Sequence, residues 1–385
     1  MEAILQQYPW LNELFVGFLG LTWSHVAMWA IGLALIWLAI KHDYEPALLL
    51  PAGFGAILAN IPFSSAISQI PGEEGFLWSL YQLGVTSGLF PVLILMLIGT
   101  MCDFVPLIRR PGIILLAAAS QLGIFVLAAA ATLVGFSFEH AAAIGMMGSA
   151  DGPTTVFVAS RYARDLLGPL AVAAYIYSAL VPVIQPPIVK ALTSERERQI
   201  RMSDEEQQPV LQTARMVFPL LVVLLTGLMI PAAVALVGSL MFGNILKEAG
   251  CLKKLTGAGE TRSADVVTML LGITVGGTLA ADKVLTIEVA AIVIFGVVAV
   301  MLDTALGVMF AKLYNRLSKT RVNPMIGACG VAAFPLAGRT IAVMALKEDP
   351  GHSILQQALG VNVAGRLTAV LAGGLVLTLV PALMK

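Results

Sequence analysis

One carboxylate lies in a stretch of sequence that is otherwise almost entirely apolar. Asp151 occurs in GMMGSADGPTTVF, where Ser149, Thr154 and Thr155 bring three hydroxyl groups close to it along the chain. Carboxylate, hydroxyl and freed backbone oxygens are the ligands that membrane transporters offer to Na⁺, and the carboxylate also balances the charge of the ion. The stretch therefore predicts a sodium site. The alternative is that Asp151 only caps a helix that begins at Pro153.

A second stretch, NPMIGACGVAAFPLAGR, combines one amide, a run of small residues and one arginine. Asn323 opens the stretch and Arg339 closes it. An arginine in such an apolar setting suits the bidentate capture of a carboxylate through two parallel N–H groups. The alternative is an interfacial arginine whose long side chain reaches the water at the membrane edge.

Further polar residues lie within the apolar segments. Tyr177 in AYIYSALVP is a phenol inside a predicted span, which on its own is more typical of packing, and Asn362 in GVNVAGR is a candidate oxygen ligand. Asp103 and Asp303 are additional acids, and ionisable residues at membrane depth indicate function by default. The histidines and cysteines have no metal-binding spacing. The sequence contains no nucleotide-binding or hydrolase motif.

The composition predicts which elements must position these residues. Of the 385 residues, 58% are apolar and 12% are charged, and the formal net charge is zero. Long uncharged runs predict an all-α polytopic membrane protein with about nine to eleven membrane segments, and the zero charge argues against a nucleic-acid partner. The first residues are acidic and lack a cleavage pattern, so no cleaved signal peptide is predicted. The long apolar segments lie near residues 24–40, 86–102, 112–136, 166–190, 216–241, 264–281, 288–312 and 353–384.

Glycine and proline interrupt three shorter segments, 47–62, 141–160 and 323–345. The two halves of the chain also echo each other in the same order. Broken helices at matching places in two repeats are typical of a transporter site at the repeat interface. We therefore predict two inverted repeats in which segments 141–160 and 323–345 meet near the membrane midplane. The similar pairs are FGAIL at 54–58 and FGNIL at 242–246, IGTMCDFVPL at 98–107 and GGTLAADKVL at 276–285, and IGMMGSADGP at 144–153 and IGACGVAAFP at 326–335.

This pattern divides the chain into four parts. Residues 1–46 are predicted to form an amphipathic segment and the first membrane helix, and residues 47–190 the first repeat. Residues 191–215, the one strongly hydrophilic stretch, are predicted to form a solvated, charged linker, and residues 216–385 the second repeat. The basic clusters, including that of the linker, predict a cytoplasmic location for the loops that carry them.

Taken together, the motifs resemble those of a known family. GSADGPT, AYIYSALVP, LVPVIQPP, NPMIGACGVAAFPLAGR and GVNVAG resemble the β subunit of the sodium-pumping biotin-dependent decarboxylases. These bacterial enzymes act on oxaloacetate, methylmalonyl-CoA, glutaconyl-CoA or malonate. The likeness runs from about residue 47 to about residue 375.

The resemblance implies a multi-subunit enzyme in the bacterial cytoplasmic membrane. A soluble carboxyltransferase subunit loads CO₂ onto biotin of a carrier domain or subunit, and the membrane subunit decarboxylates that carboxybiotin. This step is coupled to Na⁺ export and consumes a proton. A small membrane subunit and further copies of the chain are the other expected partners, and no cofactor is expected to be covalently bound to the chain itself.

The resemblance also implies roles for individual residues. Asp151, Tyr177 and Arg339 map onto the catalytic and coupling residues. Asp151 and Ser149, together with Asn323 and Asn362, are the expected Na⁺ ligands, and Arg339 and Gly327 are expected to hold carboxybiotin.

The sequence departs from the family pattern at four positions. Ala332 stands where the family usually has serine, so a second Na⁺ site and the ion stoichiometry are open. Gln357 and Val361 replace a histidine and a proline, and Arg366 places a charge at a usually apolar position. The chain therefore resembles a divergent member. The acid or acyl-CoA substrate is chosen by the partner subunit and is not predicted.

A rival interpretation is a Na⁺-coupled secondary transporter of carboxylates with no decarboxylation chemistry, because broken repeats, a cation site and an arginine would look alike. A biotinylated partner would distinguish the two. A purely structural membrane anchor has no need for a buried aspartate and arginine.

Overall fold

The computed structural model describes residues 15–67, 74–202, 209–250, 260–318 and 321–384. Within these ranges the chain is built from helices, turns and loops, which confirms the all-α class. The α-helices of the first half are α1 (Val16–Leu19), α2 (Trp23–His42), α3 (Pro46–Ala59), α4 (Phe76–Leu80), α5 (Leu89–Met101), α6 (Val105–Arg109), α7 (Ile113–Ser120), α8 (Leu122–Val134), α9 (Phe138–Met146), α10 (Gly152–Tyr162) and α11 (Leu167–Leu192).

The second half continues the same architecture. Its α-helices are α12 (Glu195–Arg198), α13 (Gln212–Met229), α14 (Val234–Glu248), α15 (Glu260–Gly276), α16 (Ala281–Val284), α17 (Ile287–Leu317), α18 (Leu336–Glu348) and α19 (Leu355–Leu383). A π-helical turn covers Tyr81–Thr86, and 3₁₀ helices cover Met147–Ser149, Pro231–Ala233 and Pro324–Gly330.

The described helices confirm a multi-pass membrane protein. Six helical stretches are long and apolar enough to cross a membrane, and one of them, Ile113–Val134, consists of α7 and α8 together. The bent pair formed by Phe76–Thr86 and α5 adds a seventh if it is counted as one span. Helices α3 and the apolar part of α15 are shorter. The predicted nine to eleven segments include these short and broken helices. The segments are counted from hydropathy, which does not distinguish a complete span from a partial one.

Two of the predicted long segments differ from the helices. The segment 216–241 divides at Pro231, where α13 ends and a 3₁₀ turn leads into α14. The segment 353–384 is long enough to bend or break, but it is one helix, α19, although it contains Pro381. Proline removes one N–H and so frees the carbonyl four residues earlier. That carbonyl, on Leu377, accepts a hydrogen bond from the Tyr162 hydroxyl at 3.0 Å, so the proline is tolerated.

The two halves pack against each other reciprocally. Helix α3, which carries FGAIL, packs on α15, and α14, which carries FGNIL, packs on α5. Glycine makes both contacts close: Gly55 meets the backbone of α15 at Ile273, and Gly243 meets the backbone of α5 at Met96. A side chain at either position would overlap these backbone atoms. Reciprocal packing is what two related repeats would produce, and the inverted symmetry stays a prediction.

Part of the predicted linker is docked instead of solvated. Arg198 contacts Glu348 at the end of α18 at 2.9 Å, and Arg201 contacts Asp349 at 2.8 Å. The hydrogen bond from Arg201 lowers the pKa of the Asp349 carboxyl, so this contact stays charged at neutral pH. A solvated loop was predicted from composition, and composition does not show that Arg198 and Arg201 have acidic partners in the second half of the chain. Residues 203–208 lie outside the described residues.

Candidate functional site

The two broken segments meet at a backbone hydrogen bond. In the first, α9 ends at Met146, a 3₁₀ turn covers Met147–Ser149, and α10 begins at Gly152. In the second, the 3₁₀ helix Pro324–Gly330 precedes an extended stretch that leads to α18. The N–H of Ala332 donates to the Ser149 carbonyl at 2.9 Å. The predicted contact between the segments is therefore present, and its position near the membrane midplane stays a prediction.

Asp151 lies at this junction and is fully buried. It occupies the N-cap position of α10, but its side chain makes no capping hydrogen bond. Its Oδ2 instead accepts from the Thr154 hydroxyl at 2.8 Å, and its Oδ1 accepts from Nη1 of Arg366 at 2.6 Å. The side chain is therefore used for an ion pair and a hydroxyl contact. The capping alternative does not describe its hydrogen bonds.

The ion pair corrects one sequence-based expectation. Asp151 was expected to offer an unbalanced charge to Na⁺, but Arg366, which is 5% exposed, already balances it. The two residues are far apart in sequence, which is why the pair could not be read from spacing. A buried charge without a partner is strongly destabilising, so each of these residues is required by the other.

Ser149 lies beside Asp151, and its hydroxyl is already hydrogen-bonded to the neighbouring backbone. Its hydroxyl donates to the Met146 carbonyl at 2.7 Å and accepts from the Asp151 N–H at 3.2 Å. Thr155 likewise donates to the carbonyls of Met146 and Asp151. The donor chemistry around Asp151 fits Na⁺, whereas the charge balance in this conformation is supplied by the protein.

Asn362 joins α19 to the second broken segment. Its Nδ2 donates to the carbonyls of Cys329 and Val331 at 3.0 and 2.8 Å, and its Oδ1 accepts from the Gly338 N–H at 3.4 Å. Arg366 follows four residues later, one helical turn along the same face. One face of α19 therefore holds the second broken segment through Asn362 and the first through Arg366.

Asn323 lies at the opposite end of the 3₁₀ helix from this junction. Its Nδ2 donates to the carbonyls of Arg198 and Ile200 in the linker, and its Oδ1 caps the helix by accepting from the Met325 N–H at 3.1 Å. The amide of Asn323 therefore holds the linker, and its expected role as a Na⁺ ligand together with Asp151 stays a prediction.

Gly327 lies in a close helix contact. It faces Gly307 of α17 so tightly that a β-carbon at either glycine would overlap the backbone of the other. The Gly327 carbonyl also accepts a hydrogen bond from the Ser120 hydroxyl at 3.2 Å. The α17 backbone fills the space that a side chain at Gly327 would occupy, and the expected contact with carboxybiotin stays a prediction.

This packing predicts that Gly327→Ala destabilises the protein. The added methyl group meets backbone, which cannot rotate away, so we expect an overpacking cost of about 1–3 kcal/mol and a lower midpoint of thermal unfolding in detergent. Gly238→Ala is the matched control, because a β-carbon at Gly238 of α14 would have no neighbour within 4 Å. Equal unfolding midpoints for the two variants would show that the space beside Gly327 is open.

Of the two tyrosines in AYIYSALVP, the predicted one does not lie beside Asp151. Tyr177 donates its hydroxyl to the Val293 carbonyl of α17 and packs its ring on Gly296. The ring of Tyr175 instead lies against Gly152, next to Asp151, and its hydroxyl is buried without a hydrogen-bond partner among the described residues. Residues two apart on a helix face different directions, so only one of them can point to the junction. Nothing in the sequence distinguishes Tyr175 from Tyr177 in this respect.

Asp303 is a further buried acid that the structure brings close to the junction. It is fully buried in α17, and neither carboxyl oxygen has a hydrogen-bond partner within the described part of the chain. It lies between Gly123 and Gly148, where the absence of side chains leaves room for it.

Arg339 lies away from the ion pair, in an open cleft of about 360 Å³ between α11 and α18. The side chain is exposed. Lys190 and Lys347 also line the cleft, and the one acid in its lining, Glu348, is paired with Arg198. The unpaired charge facing the cleft is therefore positive, which suits an anion that arrives from the water. Gly338, the neighbour of Arg339, is the residue held by Asn362, so the cleft and the buried pair share α19 as a common support.

Comparison with known proteins identifies the family of the chain. A family model described as the Na⁺-transporting oxaloacetate decarboxylase beta subunit matches residues 24–380. The chain is 41% identical to the methylmalonyl-CoA decarboxylase subunit beta of Propionigenium modestum, with 98% of this chain and 99% of the relative covered. It is 41% identical to the glutaconyl-CoA decarboxylase subunit beta of Acidaminococcus fermentans, over 94% and 95% of the two chains.

A third relative widens the range of named substrates. The oxaloacetate decarboxylase beta chain of Haemophilus ducreyi is 36% identical to this chain, and the match covers 98% of each. The relatives thus differ in the acid or acyl-CoA in their names and share the beta subunit of a decarboxylase. With a match that spans nearly every helix described above, the chain belongs to the family of beta subunits of Na⁺-transporting decarboxylases.

Proposed function

We propose that this chain is the membrane subunit that decarboxylates carboxybiotin and couples this reaction to Na⁺ export, with the consumption of one proton. The observation that carries the proposal is the pairing of a cationic cleft with a buried carboxylate through one face of α19. Family membership favours this function over the rival secondary transporter, because the relatives are named as decarboxylase subunits.

The cleft is the proposed place of the chemistry. In carboxybiotin the bond between the ureido nitrogen and the CO₂ carbon breaks, its electron pair stays on nitrogen, and that nitrogen takes up a proton. Arg339 is proposed to hold the carboxylate with two parallel N–H groups, and Lys190 and Lys347 to attract the anion. Removal of water from around the carboxylate favours release of neutral CO₂, because desolvation disfavours the charged form.

The junction is the proposed place of ion coupling. Asp151 is the proposed Na⁺ ligand, with Ser149 and Asn362 as neighbouring oxygen donors. Asn362 of α19 holds Gly338 beside the cleft, and Arg366 of the same helix holds Asp151 at the junction. A shift of α19 would therefore change the cleft and the junction together. Alternating access by one bundle moving against the other is the default for such a site. Tyr177 is retained as a candidate hydroxyl for proton transfer, with Tyr175 as the nearer alternative.

The partners follow from the same proposal. A decarboxylase beta subunit implies partner subunits, and those proposed are a soluble carboxyltransferase, a biotin carrier and a small membrane subunit, with further copies of this chain in the complex. The charged linker contacts Glu348 through Arg198, and Glu348 also lines the cleft, so the linker lies on the side where the cleft opens. We propose that the carrier approaches from this side, which the basic loops assign to the cytoplasm.

The function is tested with the purified chain in liposomes. We expect it to release CO₂ from free carboxybiotin only when Na⁺ is present, and to capture a biotinylated protein from extracts of its host. Na⁺-driven carboxylate uptake without CO₂ release would favour the secondary transporter and overturn the proposal.

A further inference from the structure

We propose that Arg366 is a tethered cation that competes with Na⁺ for Asp151 and thereby sets the sodium affinity of this chain. The inference rests on the proposed role of Asp151 as a Na⁺ ligand. It concerns a buried arginine of α19 and specifies how the charge of that arginine changes ion binding.

The geometry places the guanidinium where a bound cation would be needed. Nη1 of Arg366 lies 2.6 Å from Oδ1 of Asp151, which is a charge-assisted hydrogen bond of the shortest kind. Both side chains are buried, so solvent screens their attraction only weakly. The pair is neutral as a whole. A Na⁺ ion that approaches Asp151 must therefore displace the guanidinium or share the carboxylate with it, and either reduces its affinity.

The pair is also poised to open. Asp151 uses one carboxyl oxygen for Arg366 and the other for Thr154, so the arginine binds through a single nitrogen and not as a two-pronged fork. Its Nε is buried and has no hydrogen-bond partner among the described residues. A guanidinium held this way is incompletely satisfied, which is uncommon for a purely structural pair. Rotation of the side chain would free Oδ1 without breaking a second hydrogen bond to the carboxylate.

The surroundings limit what else could neutralise Asp151. Ser149, Thr154 and Thr155 contribute uncharged hydroxyls, and the side chain of Ala332, whose N–H donates to the Ser149 carbonyl, has no polar group. With Arg366 removed, the buried carboxylate needs an external cation more strongly than before. Loss of the tethered charge should therefore raise the affinity for Na⁺ instead of lowering it, a direction that a structural role for Arg366 does not produce.

The test is equilibrium binding of ²²Na⁺ to the purified complex. We expect Arg366→Gln to lower the Kd for Na⁺ at least about tenfold relative to the wild type, which corresponds to about 1.4 kcal/mol. Arg366→Lys keeps a tethered charge and should remain within about threefold of the wild type. The double variant Asp151→Asn with Arg366→Gln should lose the gain, because no carboxylate is left to bind the ion.

A second measurement covers the case in which Arg366→Gln is unstable without Na⁺. Its midpoint of thermal unfolding should rise more steeply with Na⁺ concentration than that of the wild type, because bound Na⁺ replaces the missing guanidinium. A variant that stays unfolded in saturating Na⁺, or that binds Na⁺ no more tightly than the wild type, overturns the proposal.

The outcomes also separate this inference from the proposed function. If Arg366→Gln leaves the Kd unchanged while the double variant loses Na⁺ binding, Asp151 is a ligand and only the tethered-cation inference is wrong. If the double variant binds Na⁺ as the wild type does, Asp151 is not a ligand, and the proposed coupling site fails as well.

Discussion

Asp151→Asn is expected to abolish Na⁺-dependent decarboxylation of carboxybiotin, with turnover falling by at least about a hundredfold, or roughly 2.7 kcal/mol. The amide cannot balance the charge of a bound ion. The same change leaves Arg366 buried without its partner, and breaking a buried pair in this way costs about 3–5 kcal/mol of stability. The measurement is CO₂ release by reconstituted protein over a Na⁺ titration, together with the midpoint of thermal unfolding.

The double variant Asp151→Asn with Arg366→Gln separates the two effects. It removes both charges, so the stability should recover while Na⁺-dependent turnover stays lost. Recovery of both would mean that Asp151 serves only as a counter-charge for Arg366, and the sodium assignment would then be wrong.

Arg339→Lys is expected to lower turnover of free carboxybiotin at least about tenfold, equivalent to roughly 1.4 kcal/mol of transition-state stabilisation. Lysine keeps the charge of the cleft but cannot form two parallel hydrogen bonds to one carboxylate. Membrane insertion and the binding of partner subunits should be unchanged, since the side chain is exposed on α18. Turnover is measured as CO₂ release across the same Na⁺ titration.

Arg161→Lys is the matched control for this substitution. Arg161 is an exposed arginine on α10 whose guanidinium lies 5.5 Å from the ring centre of Phe157, outside the cleft. It should leave turnover unchanged. If Arg339→Lys also matches the wild type at every Na⁺ concentration, Arg339 is an interfacial residue and the carboxylate is held elsewhere.

The sequence predicted the class of the fold and the meeting of the two broken segments, because hydropathy and the positions of glycine and proline are local properties. It identified Asp151 for the same reason, since a carboxylate in an apolar stretch is visible without a structure. The Tyr162 hydroxyl that bonds to the carbonyl freed by Pro381 in α19 comes from more than two hundred positions away, and no local pattern records that contact.

The candidate site was predicted only in part, because its charge balance depends on long-range contacts. Arg366 could be noticed as a departure, but its contact with Asp151 requires α19 and α10 to pack together. In the sequence, Asn323 and Asn362 are equivalent as uncharged oxygen ligands. In the structure, Asn323 caps the start of the 3₁₀ helix Pro324–Gly330, whereas Asn362 contacts its other end from α19. Tyr175 and Tyr177 differ in the same way: which of them points to Asp151 depends on the rotation of α11.

We propose that decarboxylation in this chain moves Na⁺ through a site that contains Asp151. The most direct test is to reconstitute the purified protein in liposomes with its cytoplasmic side outward, add carboxybiotin, and record CO₂ release and ²²Na⁺ uptake in the same sample. We expect uptake that begins with CO₂ release, stops when carboxybiotin is exhausted, and is absent in the Asp151→Asn, Arg366→Gln double variant. CO₂ release at an equal rate with and without Na⁺, or Na⁺ uptake that persists in the double variant, would contradict it.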